Sequence, residues 1–178
     1  MTMTKLLTLS SLCAMALVLA LAALAAGSGT FIKTKVDPGR AGVFVDGKYV
    51  GPAANYRIAR TYAVTPGKHE IKLVDPRYEE VTISVDVPAG KTITVSQTMK
   101  PLAPAKGPFG TLRTKYPDKF AAVYINDRFY GHAGEFNNSS QGMLLPPGEY
   151  TIRIEPVSGG TAVTKKVQIE AGKTVVVE

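Results

Sequence analysis

From Thr30 onward, apolar and polar residues alternate with a period of two in short runs broken by Gly, Pro, Asp and Asn. Thr30 to Lys35 puts Phe31, Lys33 and Lys35 on one side and Thr30, Ile32 and Thr34 on the other. His69 to Val74 turns Ile71 and Leu73 inward; Val81, Ile83, Val85 and Val87 form an apolar face opposite Thr82, Ser84 and Asp86. That period is the pleat of a β-strand, in which successive side chains point to opposite faces. Gly42–Val45 and Lys48–Val50 flank Asp46-Gly47, a strong two-residue hairpin signal because both turn positions need positive φ. Further breaks fall at Pro66-Gly67, after Tyr62-Ala63-Val64, and at Ala89-Gly90-Lys91, which leads into Thr92–Met99. Six or seven short strands joined by tight turns predict a small antiparallel β-sandwich.

The same pattern runs twice. A shift of eighty residues lays Lys33-Thr34-Lys35 on Arg113-Thr114-Lys115 and Val43-Phe44-Val45 on Val123-Tyr124-Ile125. The same shift lays Lys48-Tyr49-Val50-Gly51 on Arg128-Phe129-Tyr130-Gly131. With one inserted residue, Pro66-Gly67-Lys68-His69 meets Pro147-Gly148-Glu149-Tyr150, and with one more, Ala89-Gly90-Lys91-Thr92 meets Ala171-Gly172-Lys173-Thr174. The second hairpin turn is Asn126-Asp127, a pair that accepts the left-handed conformation less readily than one with glycine. The expected layout is an N-terminal segment over 1–25, one sandwich over 30–99, a linker over 100–109 and a second sandwich over 110–178. Pro101, Pro104 and Pro108 make that linker extended and semi-rigid.

The N-terminal segment differs from the rest. Lys5 is the single charge before Lys33, Leu6 to Ala26 is an uncharged Leu/Ala run, and Ala23-Leu24-Ala25 offers a small-x-small cleavage site. This reads as a helical secretory signal peptide, cut after Ala25 or one residue later. An uncleaved anchor is the alternative, since ~20 apolar residues can span a bilayer. Cys13, the only cysteine, lies inside the run, so no lipid-modified cysteine follows it and the cleaved chain has no disulfide.

Composition fits a folded β protein of 178 residues, with 45% hydrophobic residues and Gly and Pro scattered without a collagen period. The formal net charge is +7, from 21 Lys+Arg against 14 Asp+Glu. Loss of Lys5 with the leader leaves 20 against 14, or +6. A basic exported protein suits anionic envelope polymers or head groups better than nucleic acid.

Pro38-Gly39-Arg40-Ala41-Gly42-Val43-Phe44-Val45-Asp46-Gly47-Lys48-Tyr49-Val50-Gly51, followed by Pro66-Gly67-Lys68-His69, resembles the PEGA domain. Residues Ala121, Val123-Tyr124-Ile125, Gly131 and Pro147-Gly148-Glu149-Tyr150 carry a more divergent second copy of the pattern. Gly39 stands where the name-giving tetrapeptide has Glu, and the second copy moves its proline to Pro117. The resemblance implies a β-sandwich module of exported or surface proteins with no established catalytic role, and it carries over no site residues.

Chemistry-bearing clusters are scarce. His69 aligns with Tyr150 and His132 with Pro52, and neither has a second ligand at metal spacing, so no metal or other cofactor is expected. No nucleophile-elbow motif and no calcium loop occur, and no enzymatic activity is expected. Asp46 and Asp127 hold different turn positions, where a turn-forming role accounts for each. Glu79-Glu80 and the Asn137-to-Ser140 triplets read as solvated loops. The candidates for binding are aromatics beside cations at the hairpins: Phe44, Lys48 and Tyr49, and Arg128, Phe129 and Tyr130. Such groupings suit sugar faces or a partner's groove. Both faces of a sandwich strand cannot be buried in one module, so one of Phe44 and Tyr49 is expected at the surface.

The reading is a non-catalytic, exported tandem sandwich of the bacterial cell envelope, a structural or protein-interaction module. The alternative is binding of glycan or cell-wall polysaccharide through the aromatic and cationic hairpins. The partner is an envelope or surface protein or an anionic wall polymer. The location is secreted, periplasmic or at the cell surface, with a membrane tether if the leader stays.

Overall fold

The computed structural model describes residues 29–178; the leader expected over 1–25 lies outside them. The first module comprises β1 (Phe31–Asp37), β2 (Gly42–Val45), β3 (Lys48–Pro52), β4 (Tyr62–Ala63), β5 (Gly67–Val74), β6 (Val81–Val87) and β7 (Thr92–Thr98). The second comprises β8 (Gly110–Thr114), β9 (Ala122–Ile125), β10 (Arg128–His132), β11 (Met143–Leu145), β12 (Gly148–Glu155), β13 (Val163–Ile169) and β14 (Thr174–Val177). Sheet orders correspond strand for strand: β4-β1-β7 and β3-β2-β5-β6 in one, β11-β8-β14 and β10-β9-β12-β13 in the other. The described residues form an all-β fold, as the period of two requires.

One pairing in each module is parallel. β1 runs alongside β7 from Phe31↔Thr92 to Asp37↔Thr98, and β8 alongside β14 from Thr111↔Thr174 to Thr114↔Val177. Periodicity reports which side chains share a face, not which strand lies alongside, so the parallel pair is a product of topology. The terminal Thr174–Val177 run is therefore paired within its own module.

Each sandwich encloses its own core. Ile32, Val43, Ile71, Leu73 and Val87 fill the first, and Leu112, Val123, Ile152, Ile154 and Val177 the second. A short 3-10 turn follows each hairpin, Ala53–Tyr56 and Ala133–Phe136. Buried threonines hold both turns: the Thr34 hydroxyl donates to the Ala53 carbonyl at 2.6 Å, and Thr114 to Ala133 at 2.7 Å. The linker begins by attaching to the first module, where Glu79 N–H donates to Lys100 and Leu102 N–H to Arg77, each at 2.8 Å.

Candidate functional site

The two hairpins are built alike. Asp46 (φ 51°) and Gly47 (φ 79°) form the first turn, Asn126 (φ 47°) and Asp127 (φ 62°) the second. Asp46 accepts a 2.9 Å bond from Glu70 N–H, and Asn126 accepts one of the same length from Thr151 N–H. The repeated turn residue is thus Asp46 with Asn126, each tying its hairpin to the next strand. Beneath the first turn, both ring nitrogens of His69 meet acceptors: Nδ1–H faces Asp46 at 2.7 Å and Nε2–H the Thr65 carbonyl at 2.8 Å. The Asp46 bond foremost, then the Thr65 bond, raises the His69 pKa. The Asp46 carboxyl is lowered in return, first by that bond. In the second module the Tyr150 hydroxyl takes the equivalent place, donating to the Pro146 carbonyl at 3.0 Å.

A bulge in each hairpin breaks the alternation. β2 and β3 shift register between Val43 and Phe44, and β9 and β10 between Phe129 and Gly131. Val50 is the extra residue of the first bulge and is buried in the module's own core, while Tyr49, on the opposite face of the strand, is buried in a separate cluster. That cluster lies between the modules and contains Tyr49, Val74, Ala122 and Phe129, flanked by Phe44, Tyr124 and Val157. Phe129 is its centre, with ring centroids 5.0 Å from Tyr49, 5.3 Å from Phe44 and 5.8 Å from Tyr124. The near-perpendicular Phe44 and Tyr124 contacts bring the edge of one ring toward the face of the other, the arrangement ring quadrupoles favour.

Tyr49 and Phe129 hold the same hairpin position in the two modules, as do Phe44 and Tyr124. The modules thus meet through the same outer face. Tyr49 is buried and Phe44 is half-exposed, so of the two aromatics at this hairpin only Phe44 keeps part of its surface open. The outer face of one sheet is covered by the neighbouring module, an option absent from any single-module argument. Burial also raises the Tyr49 phenol pKa, so the group stays neutral.

An ionic cluster flanks the rings. Asp75, with its side chain 2% exposed, accepts from Arg40 Nε at 3.0 Å and from Arg77 Nε and Nη2 at 2.8 and 2.9 Å. Glu135 of the second module reaches Arg77 at 2.5 Å and Arg40 at 3.6 Å. Burial opposes the charge on Asp75, but the Arg77 hydrogen bonds and the Arg40 charge outweigh it and hold the carboxyl low. Burial likewise opposes the charge on Arg77, and Asp75 and Glu135 overcome it. His132 Nδ1 lies 3.7 Å from Glu135 Oε2. Both atoms are buried without a hydrogen-bond partner, and burial foremost lowers the His132 pKa.

Beside this contact an open groove of about 660 Å³ runs between the modules. Phe44, Tyr124 and Phe129 line it together with Lys72, Glu80 and Arg128. Of the six sequence candidates, Phe44, Arg128 and Phe129 meet here. Tyr49 lies behind them in the cluster, Lys48 is exposed on the hairpin, and Tyr130 packs against the second core. Sequence reasoning missed Arg40, Asp75, Arg77 and Glu135. No motif joins them, because residues 58 positions apart in sequence, Arg77 and Glu135, meet only through the packing of two modules. Tyr124, which aligns with Phe44, has a cation over its face, Arg153 at 4.0 Å. Among the described residues, no three His, Cys, Asp or Glu side chains converge as metal ligands, and no helix is long and apolar enough to cross a membrane.

A family model described as the PEGA domain matches residues 31–103, the first module and the start of the linker. No curated protein and no solved structure matches the chain.

Proposed function

We propose that this chain, whose residues 31–103 are a PEGA domain, is a non-catalytic exported protein of the bacterial cell envelope. In this reading residues 110–178 are a second, divergent copy, and the pair acts as a structural or protein-interaction unit. The observation that carries it is the aromatic cluster around Phe129. The rings that a sugar-stacking platform would display, Tyr49 and Phe129, are instead used to hold one module against the other. A chain that commits its best contact residues to internal stiffness is suited to present its outer surfaces at a fixed spacing.

Binding of an anionic wall polymer is the second reading, favoured by the groove. Phe44 and Tyr124 remain half-exposed there, with Lys72 and Arg128 beside them. One experiment separates the two. The exported chain is incubated with isolated wall polysaccharide and with detergent-solubilised envelope protein at low and high salt. The structural reading expects a discrete envelope protein to be retained and polysaccharide to pass. Polysaccharide retention that disappears in Tyr124→Ala and Arg128→Ala would replace it with the second reading.

A further inference from the structure

Along one side each module ends on edge strands, paired on one flank only: β6 and β7 in the first, β13 and β14 in the second. An edge strand presents free N–H and C=O groups to any extended chain, and charges, inward-pointing ones included, are the usual protection. The two modules differ in this protection. Ile83 pairs opposite Ile71, and Lys165 pairs opposite Ile152. Direct cross-strand partners share a face, and Ile71 and Ile152 are both fully buried, so Ile83 and Lys165 hold the same core-facing position. The second module therefore places a lysine at the core-facing middle of its edge, with Lys166 following it, and both are exposed. The first has Ile83 and Ser84 there, and no charge between Glu80 and Asp86. Val81, Ile83 and Val85 stay only half-buried. The linker bonds at Arg77 and Glu79 and stops short of this strand, leaving the seven residues of β6 open.

We infer that β6 is a self-association edge to which a second copy of this chain adds its own β6, antiparallel, about a two-fold axis at Ser84. Two four-stranded sheets then join as one of eight (4 + 4). In that register Ser84 faces Ser84, Ile83 faces Val85, Thr82 faces Asp86 and Val81 faces Val87. Apolar residues meet apolar ones, polar meet polar, and no like charges are opposed. The same operation on β13 sets Lys166 against Lys166. Edge pairing is thus chemically open in the first module and blocked in the second, and a two-fold contact closes at two copies. The structural reading supplies its purpose, a paired scaffold, while the geometry stands without it.

The test uses the full chain, produced with its own N-terminal segment and carrying Cys13→Ser. Opposed Cα atoms in an antiparallel pair lie about 4.5–5.5 Å apart, within disulfide reach. Ser84→Cys is expected to form a disulfide-linked dimer on mild oxidation, while Lys166→Cys, on a strand outside the contact, forms no disulfide-linked dimer. By sedimentation the unaltered chain is expected to be a dimer. Ser84→Lys, on the exposed face, is expected to be a monomer with unchanged circular dichroism and a melting temperature that no longer rises with protein concentration. A monomeric unaltered chain, or dimers that survive Ser84→Lys, overturns the inference. A monomer that still captures an envelope protein would refute this edge and leave the structural reading intact.

Discussion

The Phe129 ring lies over the backbone of Gly42: a methyl group built on that glycine would stand 2.5 Å from two ring carbons and 3.2 Å from Tyr49. The second module carries Ala122 at the corresponding strand position, so the two modules differ where they touch. One supplies the ring and the other the space beneath it.

Gly42→Ala is therefore expected to push Phe129 outward and loosen the contact while leaving both cores folded. Phe129→Ala, at a position 6% exposed, is expected to weaken it by about 3 kcal/mol. Calorimetry should then resolve two melting transitions in place of one, and proteolysis within 100–109 should quicken. A single unshifted transition in Phe129→Ala would refute an energetic role for the cluster.

Removing Asp75 leaves Arg40 and Arg77 facing each other across its site. Asp75→Asn is expected to lose about 2 kcal/mol, less than a fully buried pair because both arginines reach solvent. Glu135→Gln is expected to cost about 1 kcal/mol, diminishing with salt, because the contact crosses a partly solvated boundary. Urea midpoints at low and high salt measure both. Since the Asp75 pKa is lowered, its contribution is complete above the ordinary value of 3.8 and is lost as pH falls through the lowered one.

The two histidines predict opposite pH dependences. His69 has a raised pKa, so its contribution is full below the ordinary 6.5, while Asp46 stays ionised, and fades as pH rises through the raised value. His132 has a lowered pKa, so it favours the folded state above 6.5 and loses that contribution as pH falls through the lowered value. Melting temperatures across pH should show His69→Gln most damaging in mild acid and least in alkali. His132→Gln should reduce the loss of stability in mild acid. Parallel shifts in the two variants would contradict this assignment.

Asp127 occupies a left-handed position that the first hairpin gives to Gly47. Asp127→Gly creates Asn-Gly, the favoured pair for this turn, and is expected to stabilise the second module by about 0.5 kcal/mol. The contact it removes, Asp127 to Arg153 at 3.9 Å, joins a 93% exposed carboxylate and is worth little. Thermal unfolding of the variant should show the gain.

Strand positions and turns were legible in the chain. The reason is local: the pleat alternates side chains, and positive φ selects Gly, Asn or Asp, so Ile71, Leu73 and Asp46-Gly47 announce their roles within a few residues. What lay beyond that reach concerned faces and neighbours. Alternation marks Phe44 as facing away from its own core, but whether that face meets water or another module depends on the partner surface eighty residues on. Nothing local distinguishes a β7 beside β1 from any other edge. Arg77 and Glu135 acquire their meaning only when the two modules pack. Short-range sterics wrote the strands, and long-range packing chose which aromatic surfaces would be covered.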